Sequence, residues 1–413
     1  MKRVLFIAYH FPPLAGGGTF RSLKFVKYLP EFGWLPTVIT SNTKNYWACD
    51  ETLLQEIPKE VKIIRAGELD SFYLHIILSK IGLEKLYQKI RDRFLIPDEK
   101  IGWIPFAYRK AVKELKKEKY DLIFSTSPTP CAHIIAVKLS YRFNLPWIAD
   151  YRDHWTLNPD YRYDLSRYKI ENNIENQLHH KAASIIINTE GNKNDILETF
   201  KDIPSKKYTV IHNGSDTTFP IEKNNKKHNK FRMIYTGTFY GRRNPITFMK
   251  SLSQIKKDIR INEIEVNFIG NSQWDINDLS KKYEISDIVH FSPFLPIQEL
   301  NNQIIESDVL LLFIDSTPNS PHVVPSKLYD YLFSNRPVLG IINDGNAKEI
   351  LKKSNLGFFA DPDSPEDIKN QILNLYHLWE TGQLHVEPNW EYIQRFHRRN
   401  LTEQLAEMFD SIV

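Results

Sequence analysis

The sequence predicts an α/β fold made of two halves, each a parallel sheet covered by helices. Short apolar runs alternate with amphipathic stretches along most of the chain, which is typical of parallel α/β sheets. At 413 residues, the chain is longer than one hydrophobic core usually supports. An almost wholly polar stretch, residues 222–230, interrupts the alternation, which then starts again. Together these observations predict two domains of the same class.

Composition and charge exclude several classes of protein. The formal net charge of +4 is too small to indicate a nucleic-acid partner. Cys49 and Cys131 lie far apart without the spacing of a metal site, which favours a reducing compartment. No apolar run is long enough to span a membrane, and the run after residues 1–3 is too short for a signal peptide. We therefore expect a cytoplasmic protein.

The first half opens with a buried strand, a glycine loop and a helix. Residues 3–8 are apolar, residues 16–18 are glycines, and apolar residues at helical spacing follow. Glycines let the backbone approach a phosphate or a sugar, and Thr19 is placed to cap the helix. The loop matches neither the GxGxxG nor the GxxxxGK[ST] pattern. A plain flexible turn is the alternative, and Arg21 on the first turn is either an anion ligand or a solvated side chain.

The strand that begins at Trp147 ends in a cluster of ionisable residues. Because the carboxyl ends of parallel strands line the ligand crevice, these side chains are placed for chemistry. The alternative is an internal arginine–aspartate pair that only holds a loop. We favour a site, because four ionisable groups this close together are costly to bury without use. The cluster comprises Asp150, Arg152, Asp153 and His154. The other strands predicted in this half are residues 36–40, 61–65, 122–128, 184–188 and 208–211.

Two stretches of the first half are amphipathic and rich in lysine and arginine. They are predicted as helices over residues 73–93 and 109–119. One interpretation is that they are ordinary surface helices. The alternative is that together they form a binding surface for anionic lipid head groups.

The second half contains two places where a phosphate can bind. A glycine turn after the strand at residues 232–236 carries Arg242 and Arg243, either of which offers a guanidinium fork. Further on, Pro325 and Ser326 supply a proline and a capping hydroxyl where a helix can begin. The first turn of that helix carries Lys327, with Asp330 on the same face, and the alternative is a simple surface pair. The remaining predicted strands are residues 265–270, 288–291, 309–314 and 337–342.

With these motifs in order, the chain resembles the retaining glycosyltransferases of family GT4, of the bacterial surface-polysaccharide type. The resemblance rests on PPLAGGGTFRS, PWIADYRDHW, IHNGSD, YTGTFYGRR and VPSKLYDYLFSNRPVLG. It implies the GT-B fold, with two Rossmann-like domains facing across a cleft. We expect an acceptor-side domain over residues 1–212 and a nucleotide-sugar domain over residues 213–390. A helix over residues 391–413 is expected to cross back to the first domain.

The resemblance also implies roles for particular residues. Arg242 and Lys327 are expected on the donor diphosphate as a basic pair, and Asp330 is expected on the ribose hydroxyls. Asp153 is expected nearest the acceptor or the transferred sugar, with Arg152 orienting it. The remaining donor-binding residues are expected to be Gly16, Gly17, Asn213, Gly237, Val324 and Ser326, and the remaining acceptor-side residues Arg21, Asp150 and His154.

Two positions depart from the family pattern. The family usually carries two glutamates eight positions apart, and here those positions hold His322 and Asp330. Since the first glutamate normally contacts the sugar, His322 is expected to take part in catalysis while donating a hydrogen bond instead of accepting one. The histidine that many members place beside the anomeric centre is replaced here by Arg152 and Asp153.

The expected reaction is transfer of a sugar from a nucleoside-diphosphate sugar to a hydroxyl, with retention at the anomeric carbon. No metal or other cofactor is expected, because two cationic side chains can replace a nucleotide-bound ion. The expected acceptor is lipid-linked or a surface glycan, with possible contact at the inner face of an anionic membrane. The alternatives are a GT-B sugar-nucleotide epimerase and a glycosyltransferase-like subunit without activity.

Overall fold

The computed structural model describes residues 1–42, 48–158, 161, 163–216, 229–241, 243–256, 263–317 and 320–413. The chain divides into two compact units. The first comprises Met1–Asn213 together with Arg398–Val413, and the second comprises Gly214–His397.

The first unit is built on a seven-stranded parallel sheet with the order β3-β2-β1-β4-β5-β6-β7. Its strands are β1 (Lys2–Ala8), β2 (Trp34–Ser41), β3 (Lys62–Ala66), β4 (Leu122–Thr126), β5 (Trp147–Arg152), β6 (Ser184–Ile187) and β7 (Tyr208–Val210). Its helices are α1 (Gly17–Tyr28), α2 (Ser71–Lys80), α3 (Glu84–Phe94), α4 (Ile104–Leu115), α5 (Cys131–Phe143), α6 (Leu165–Lys181) and α7 (Glu190–Thr199).

Both faces of this sheet are buried, which explains why its strands are continuous apolar runs. Along β1, Leu5 and Ile7 pack into one core cluster, whereas Val4 and Phe6 pack into another. The second cluster also includes Phe409 of the last helix of the chain, which therefore covers one face of the first sheet.

The second unit contains a six-stranded parallel sheet with the order β10-β9-β8-β11-β12-β13. Its strands are β8 (Phe231–Thr236), β9 (Ile264–Ile269), β10 (Val289–Ser292), β11 (Val309–Phe313), β12 (Val338–Ile341) and β13 (Gly357–Ala360). Its helices are α8 (Ile246–Ile255), α9 (Ile276–Lys282), α10 (Ile297–Glu306), α11 (Ser326–Leu332), α12 (Asn346–Lys353), α13 (Pro365–Glu380) and α14 (Trp390–Gln394). The chain then returns to the first unit as α15 (Arg398–Ile412).

Each sheet reverses its strand order beside its first strand. The reversal lies between β1 and β4 in the first unit and between β8 and β11 in the second. In open α/β sheets, ligands bind outside the carboxyl ends of the strands at such points. The loops after β1, β4, β8 and β11 are therefore where each unit is expected to hold a ligand.

The structure confirms the α/β class and the sequence-predicted strands, and it changes several bounds. The stretch 73–93 is two helices, separated by Gly82 with a φ of 74°. The second basic helix spans Ile104–Leu115 instead of 109–119. Strand β13 is an addition, and the helix that belongs to the first unit begins at Arg398 instead of 391. Among the described residues, no helix combines the length and apolar character needed to cross a membrane.

Candidate active site

In the second unit, the ammonium of Lys327, a residue of α11, lies beside the end of β8 without an anionic partner among the described residues. The Lys327 ammonium lies 3.7 Å from the centroid of the Tyr235 ring. No hydrogen bond or ion pair joins it to any residue that the structure describes. Burial lowers the pKa of Lys327 well below its ordinary value, and repulsion from Arg243 adds to the effect. A desolvated cation without a counter-charge is costly, so the arrangement is suited to receive an anion.

Gly237 makes room for this ammonium. Its φ of 135° lies in the region that favours glycine, and a Cβ there would run into the Lys327 Nζ. The Gly237 amide donates to the Ile269 carbonyl at 2.7 Å, which fixes the turn against the neighbouring strand. The sequence-predicted pair of Gly237 and Lys327 is therefore brought together.

The second cation beside Lys327 in the described structure is Arg243. Its guanidinium lies over the Tyr240 ring at 5.3 Å, and its charge lowers the pKa of Lys327. Its buried Nε has no hydrogen-bond partner among the described residues. The predicted cation Arg242 lies outside the described residues. In the sequence, the doublet of arginines indicated a guanidinium at this turn without distinguishing the two residues.

The helix that carries this lysine, α11, begins where the sequence indicates but is capped differently. Pro325 is the residue before the first helical position, Ser326 is the first helical residue, and no side chain caps the end. The predicted capping role of the Ser326 hydroxyl is therefore wrong. The backbone amides of Val324 and Ser326 donate no hydrogen bond to any described residue, so both donors remain available.

The carboxylate of Asp330 lies on the same helix and is held by Ser215. The Ser215 hydroxyl donates to Asp330 Oδ1 at 2.5 Å, and the Ser215 amide donates to the Phe396 carbonyl at 3.1 Å. Ser215 was not singled out from the sequence as a partner of Asp330, because it lies 115 positions away along the chain. His322, at the position of the missing glutamate, ends the short 3₁₀ turn Ser320–His322.

In the first unit, Arg21 and Asp150, both predicted to lie on the acceptor side, form a buried ion pair with each other, here called the staple. Arg21 Nε and Nη2 donate to the two oxygens of Asp150 at 3.0 and 2.9 Å, and both side chains are buried. The other Arg21 donors go to the carbonyls of Ile211 and His212 and to the Asn213 side chain, so all five are used. The expectation that Arg21 and Asp150 contact an acceptor is therefore wrong, and they fix the segment after β7. Asn213 belongs to this network.

Arg152 also acts inside the protein. Its φ is 48°, and its side chain is 5% exposed. It donates to the Gly17 carbonyl at 3.2 Å, to the Ser22 hydroxyl at 3.1 Å and to the Thr126 hydroxyl at 3.2 Å. Arg152 therefore holds the start of α1 against β4 and does not hydrogen-bond Asp153.

Gly16, with a φ of 102°, precedes helix α1 as its cap residue, where the sequence had suggested Thr19.

Asp153 and His154 lie at the end of β5 and differ in their environments. Asp153 is exposed and forms no hydrogen bond or ion pair with the described residues. Although the residue reaches solvent, the protein packed around its carboxylate raises the pKa of Asp153 by desolvation, and the charge of Arg152 counteracts this. His154 Nε2 lies 3.0 Å from Asp195 Oδ2. Of the predicted cluster, Asp153 is thus the carboxylate that a ligand can reach.

Comparison with protein families agrees with the division of the chain into two compact units. The model of Glycosyltransferase Family 4 matches residues 15–219, and that of Glycosyl transferases group 1 matches residues 216–385. A comparison with curated proteins finds no match.

Several solved structures share the fold at low sequence identity. Sucrose-phosphate synthase from Thermosynechococcus elongatus is 16% identical with a TM-score of 0.69, covering 100% of this chain and 99% of that one. Anabaena HepE in complex with UDP is 15% identical with a TM-score of 0.66 and full coverage of both chains. The lipopolysaccharide outer core galactosyltransferase WaaB is 13% identical with a TM-score of 0.61 and full coverage of both. The similar structures show that the chain has the GT-B fold, and the two matched models show that it belongs to the GT4 family of glycosyltransferases.

Proposed function

We propose that the protein transfers a sugar from a nucleoside-diphosphate sugar to a hydroxyl acceptor, with retention at the anomeric carbon. The observation that carries the proposal is the pair of Lys327 and Arg243. Both cations lie together without a carboxylate partner among the described residues. A diphosphate would supply the missing counter-charge. The UDP bound in HepE favours a nucleotide of this kind.

The chemistry of this site follows from charge stabilisation. The acceptor oxygen forms a bond to the anomeric carbon while the bond from that carbon to the diphosphate breaks. The acceptor proton passes to the leaving phosphate oxygen on the same face, so no separate base is required. Lys327 and Arg243 stabilise the negative charge that grows on the leaving group, and the amides of Val324 and Ser326 add donors. We expect the reaction to proceed without a metal, since the two cations take that role.

Turnover measurements test this assignment. The release of UDP or GDP from a panel of their sugars, with and without glycan acceptors, is measured for the wild type, Lys327→Ala and Arg243→Ala. Each substitution should lower turnover by roughly 10²-fold or more. Arg242→Ala, measured alongside, tells which arginine carries the charge. The control is Lys250→Ala, because Lys250 is an exposed lysine of α8.

The outcome distinguishes the alternatives. Near-normal turnover in both Lys327→Ala and Arg243→Ala would refute the assignment of the diphosphate site. Interconversion of a sugar nucleotide without any acceptor would favour the epimerase, and absence of both hydrolysis and transfer would favour an inactive subunit. Proton NMR of the product linkage tests retention.

We also propose that the first unit rests on an anionic membrane through α2 and α3, which would suit a lipid-linked acceptor. Helix α2 buries none of its ten residues, and α3 buries only Tyr87. Such a concentration of exposed apolar side chains marks an interaction surface. It comprises Leu69, Phe72, Tyr73, Leu74, Ile77, Ile81, Leu83, Leu86 and Phe94. Basic side chains of the same segment suit anionic head groups, namely Lys80, Lys85, Lys89, Arg91 and Arg93.

A further inference from the structure

The segment after β5 is fastened to helix α6 by two glutamates on successive turns of that helix. Trp155 Nε1 donates to Glu171 Oε2 at 3.1 Å. One turn further along, Glu175 Oε2 accepts hydrogen bonds from the Thr156 backbone amide, at 3.1 Å, and from the Thr156 hydroxyl. The same segment carries Asp153, the exposed carboxylate of the candidate site. The order of the segment therefore depends on the two carboxylates of α6.

The two glutamates differ in their counter-charges. Arg167 Nε donates to Glu171 Oε1 at 2.6 Å, and both side chains are almost fully buried. Glu175 is 1% exposed, and no lysine or arginine forms an ion pair with it in the part of the chain that the structure describes. A buried carboxylate without a cation is costly to ionise. Burial accordingly raises the pKa of Glu175 to about 7 against the opposing hydrogen bonds from Thr156, and the charge of Glu171 adds to the rise.

The titratable side chains that face Glu175 do not supply the missing positive charge. His179 Nε2 lies 3.9 Å from Glu175 Oε1, and burial lowers the pKa of His179 to about 3, so the ring is neutral. Burial raises the pKa of Tyr151 and of Tyr208, which stay neutral as well. The ammonium of Lys207 donates to the His179 carbonyl. The other titratable groups that act on Glu175 or on its neighbour His179 are Glu171 of α6, His133 of α5 and His180.

The segment that covers Glu175 also lines a cavity of about 240 Å³ in the first unit. Asp153, His154 and Trp155 line this cavity, whereas Thr156 is 3% exposed and contacts the Glu175 carboxylate. Movement of the segment away from α6 would let water reach Glu175, and a hydrated carboxylate ionises readily. Loss of the proton therefore favours an open segment, because only the closed arrangement bears the cost of a buried charge.

We propose that Glu175 is a proton-dependent positioning residue, which holds the segment after β5 closed on α6 while it carries a proton and releases the segment, with Asp153, when it ionises. In the closed arrangement Oε2 keeps both hydrogen bonds from Thr156. The proton lies on Oε1, from which an approach of about 1 Å brings it into hydrogen-bond distance of His179 Nε2. That nitrogen forms no hydrogen bond with the described residues. The proposal concerns the order of the segment and does not rest on the proposed function.

Hydrogen exchange of the full chain, read by mass spectrometry, measures the opening of the segment. Exchange is followed at about pH 5.5 and at about pH 8.5, on either side of the pKa of Glu175, with exposure times scaled to the intrinsic rate at each pH. Peptides that cover residues 153–158 should lose protection by about tenfold or more at the higher pH, because the open segment binds the proton less tightly. Peptides of β1 should keep their protection.

Substitution of Glu175 separates the proton from the hydrogen bonds. The amide oxygen of Glu175→Gln still accepts from Thr156, but the side chain does not titrate, so protection of residues 153–158 should be the same at both pH values. Because the folded pKa lies above the unfolded value, the stability of the wild type falls as pH rises through about 7. Glu175→Gln should therefore melt at a higher temperature than the wild type at the higher pH.

The matched control is Glu171→Gln, one turn away on the same helix. This substitution removes the partner of a buried arginine and should lower the melting temperature at both pH values. Three results would overturn the proposal, and the first of them needs no substitution. They are a wild-type protection of residues 153–158 that does not change with pH, the same loss of protection in Glu175→Gln as in the wild type, and a melting temperature of Glu175→Gln at or below that of the wild type at the higher pH.

Discussion

At the scale of single residues, the ionisation of Lys327 links donor binding to pH. Desolvation and then the charge of Arg243 hold the pKa of Lys327 well below its ordinary value of about 10.4. A diphosphate interacts favourably only with the protonated lysine, so binding must raise this pKa. Between the depressed pKa of the free protein and the raised pKa of the complex, binding is therefore accompanied by uptake of a proton.

The affinity for nucleoside diphosphates should consequently fall as pH rises through the depressed pKa of Lys327. Isothermal calorimetry in buffers of different ionisation enthalpy measures both the affinity and the proton uptake. Lys327→Arg keeps the charge without the titration, and should bind with little proton uptake. Proton release on binding to the wild type would contradict the depressed pKa.

The same depressed pKa affects the stability of the ligand-free protein. Between the folded value and the unfolded value, the unfolded chain holds the proton and the folded chain does not, so stability rises with pH in that window. Below the folded value the penalty is fully present. Lys327→Met should therefore stabilise the ligand-free protein by about 1 kcal/mol or more at neutral pH, which thermal melts can measure. A lower melting temperature than the wild type would speak against an uncompensated cation.

Another residue-scale prediction concerns the staple between Arg21 and Asp150. Burial opposes ionisation of Asp150, but the charge and hydrogen bonds of Arg21 outweigh it and hold the pKa of the carboxyl below its usual value. Asp150→Asn would leave a buried arginine unpaired and should lower the free energy of unfolding by about 3–5 kcal/mol. Urea denaturation measures the effect. The matched control is Asp202→Asn, because Asp202 forms an exposed pair with His180. Equal changes in the free energy of unfolding for the two substitutions would show that the pair of Arg21 and Asp150 does not stabilise the fold more than an exposed pair does.

At the scale of elements, the two basic segments have different surroundings. The apolar residues of α4, such as Ala107 and Ala111, lie in the core of the first unit, so α4 is an ordinary surface helix. Helices α2 and α3 expose theirs instead. The sequence could not separate the two cases, because both segments have similar charge and periodicity.

Charge reversal tests the proposed membrane contact of α2 and α3. Lys85→Glu with Lys89→Glu should abolish flotation with vesicles that contain phosphatidylglycerol, because the basic side chains are needed to attract the head groups. The matched control is Lys110→Glu with Lys113→Glu, which makes the same charge change on α4. If the wild type ignores anionic vesicles, or if both double variants behave alike, the proposal fails.

The elements also show what local sequence can specify. Apolar runs such as residues 309–314 predicted their strands, because a strand buried on both faces leaves a strong pattern. Strand β13 was missed, since Gly357–Ala360 is only four residues long and begins with a glycine. The cap at Ser326 was misassigned because a hydroxyl next to a proline suits either the cap position or the first helical position, and only the backbone angles decide.

At the scale of the whole molecule, each unit contains a parallel sheet whose strand order reverses beside its first strand. Ligands of such sheets bind at the loops next to the reversal. The alternation of elements and the ordered motifs predicted this fold and the region of the donor site. They could not predict pairings between residues far apart along the chain. Arg21 and Asp150 are 129 positions apart, and they hydrogen-bond each other. Both were predicted to contact a ligand, but their role is structural.

If Lys327 and Arg243 hold the diphosphate of the donor, as we propose, both should be needed for binding, which a thermal-shift titration with nucleoside diphosphates measures. A ligand that binds only the folded state raises the melting temperature by mass action. At least one nucleoside diphosphate should raise the melting temperature of the wild type and of Lys250→Ala. The shift should be lost in Lys327→Met and in Arg243→Met. An undiminished shift in both of these variants would show that the two cations do not hold the diphosphate.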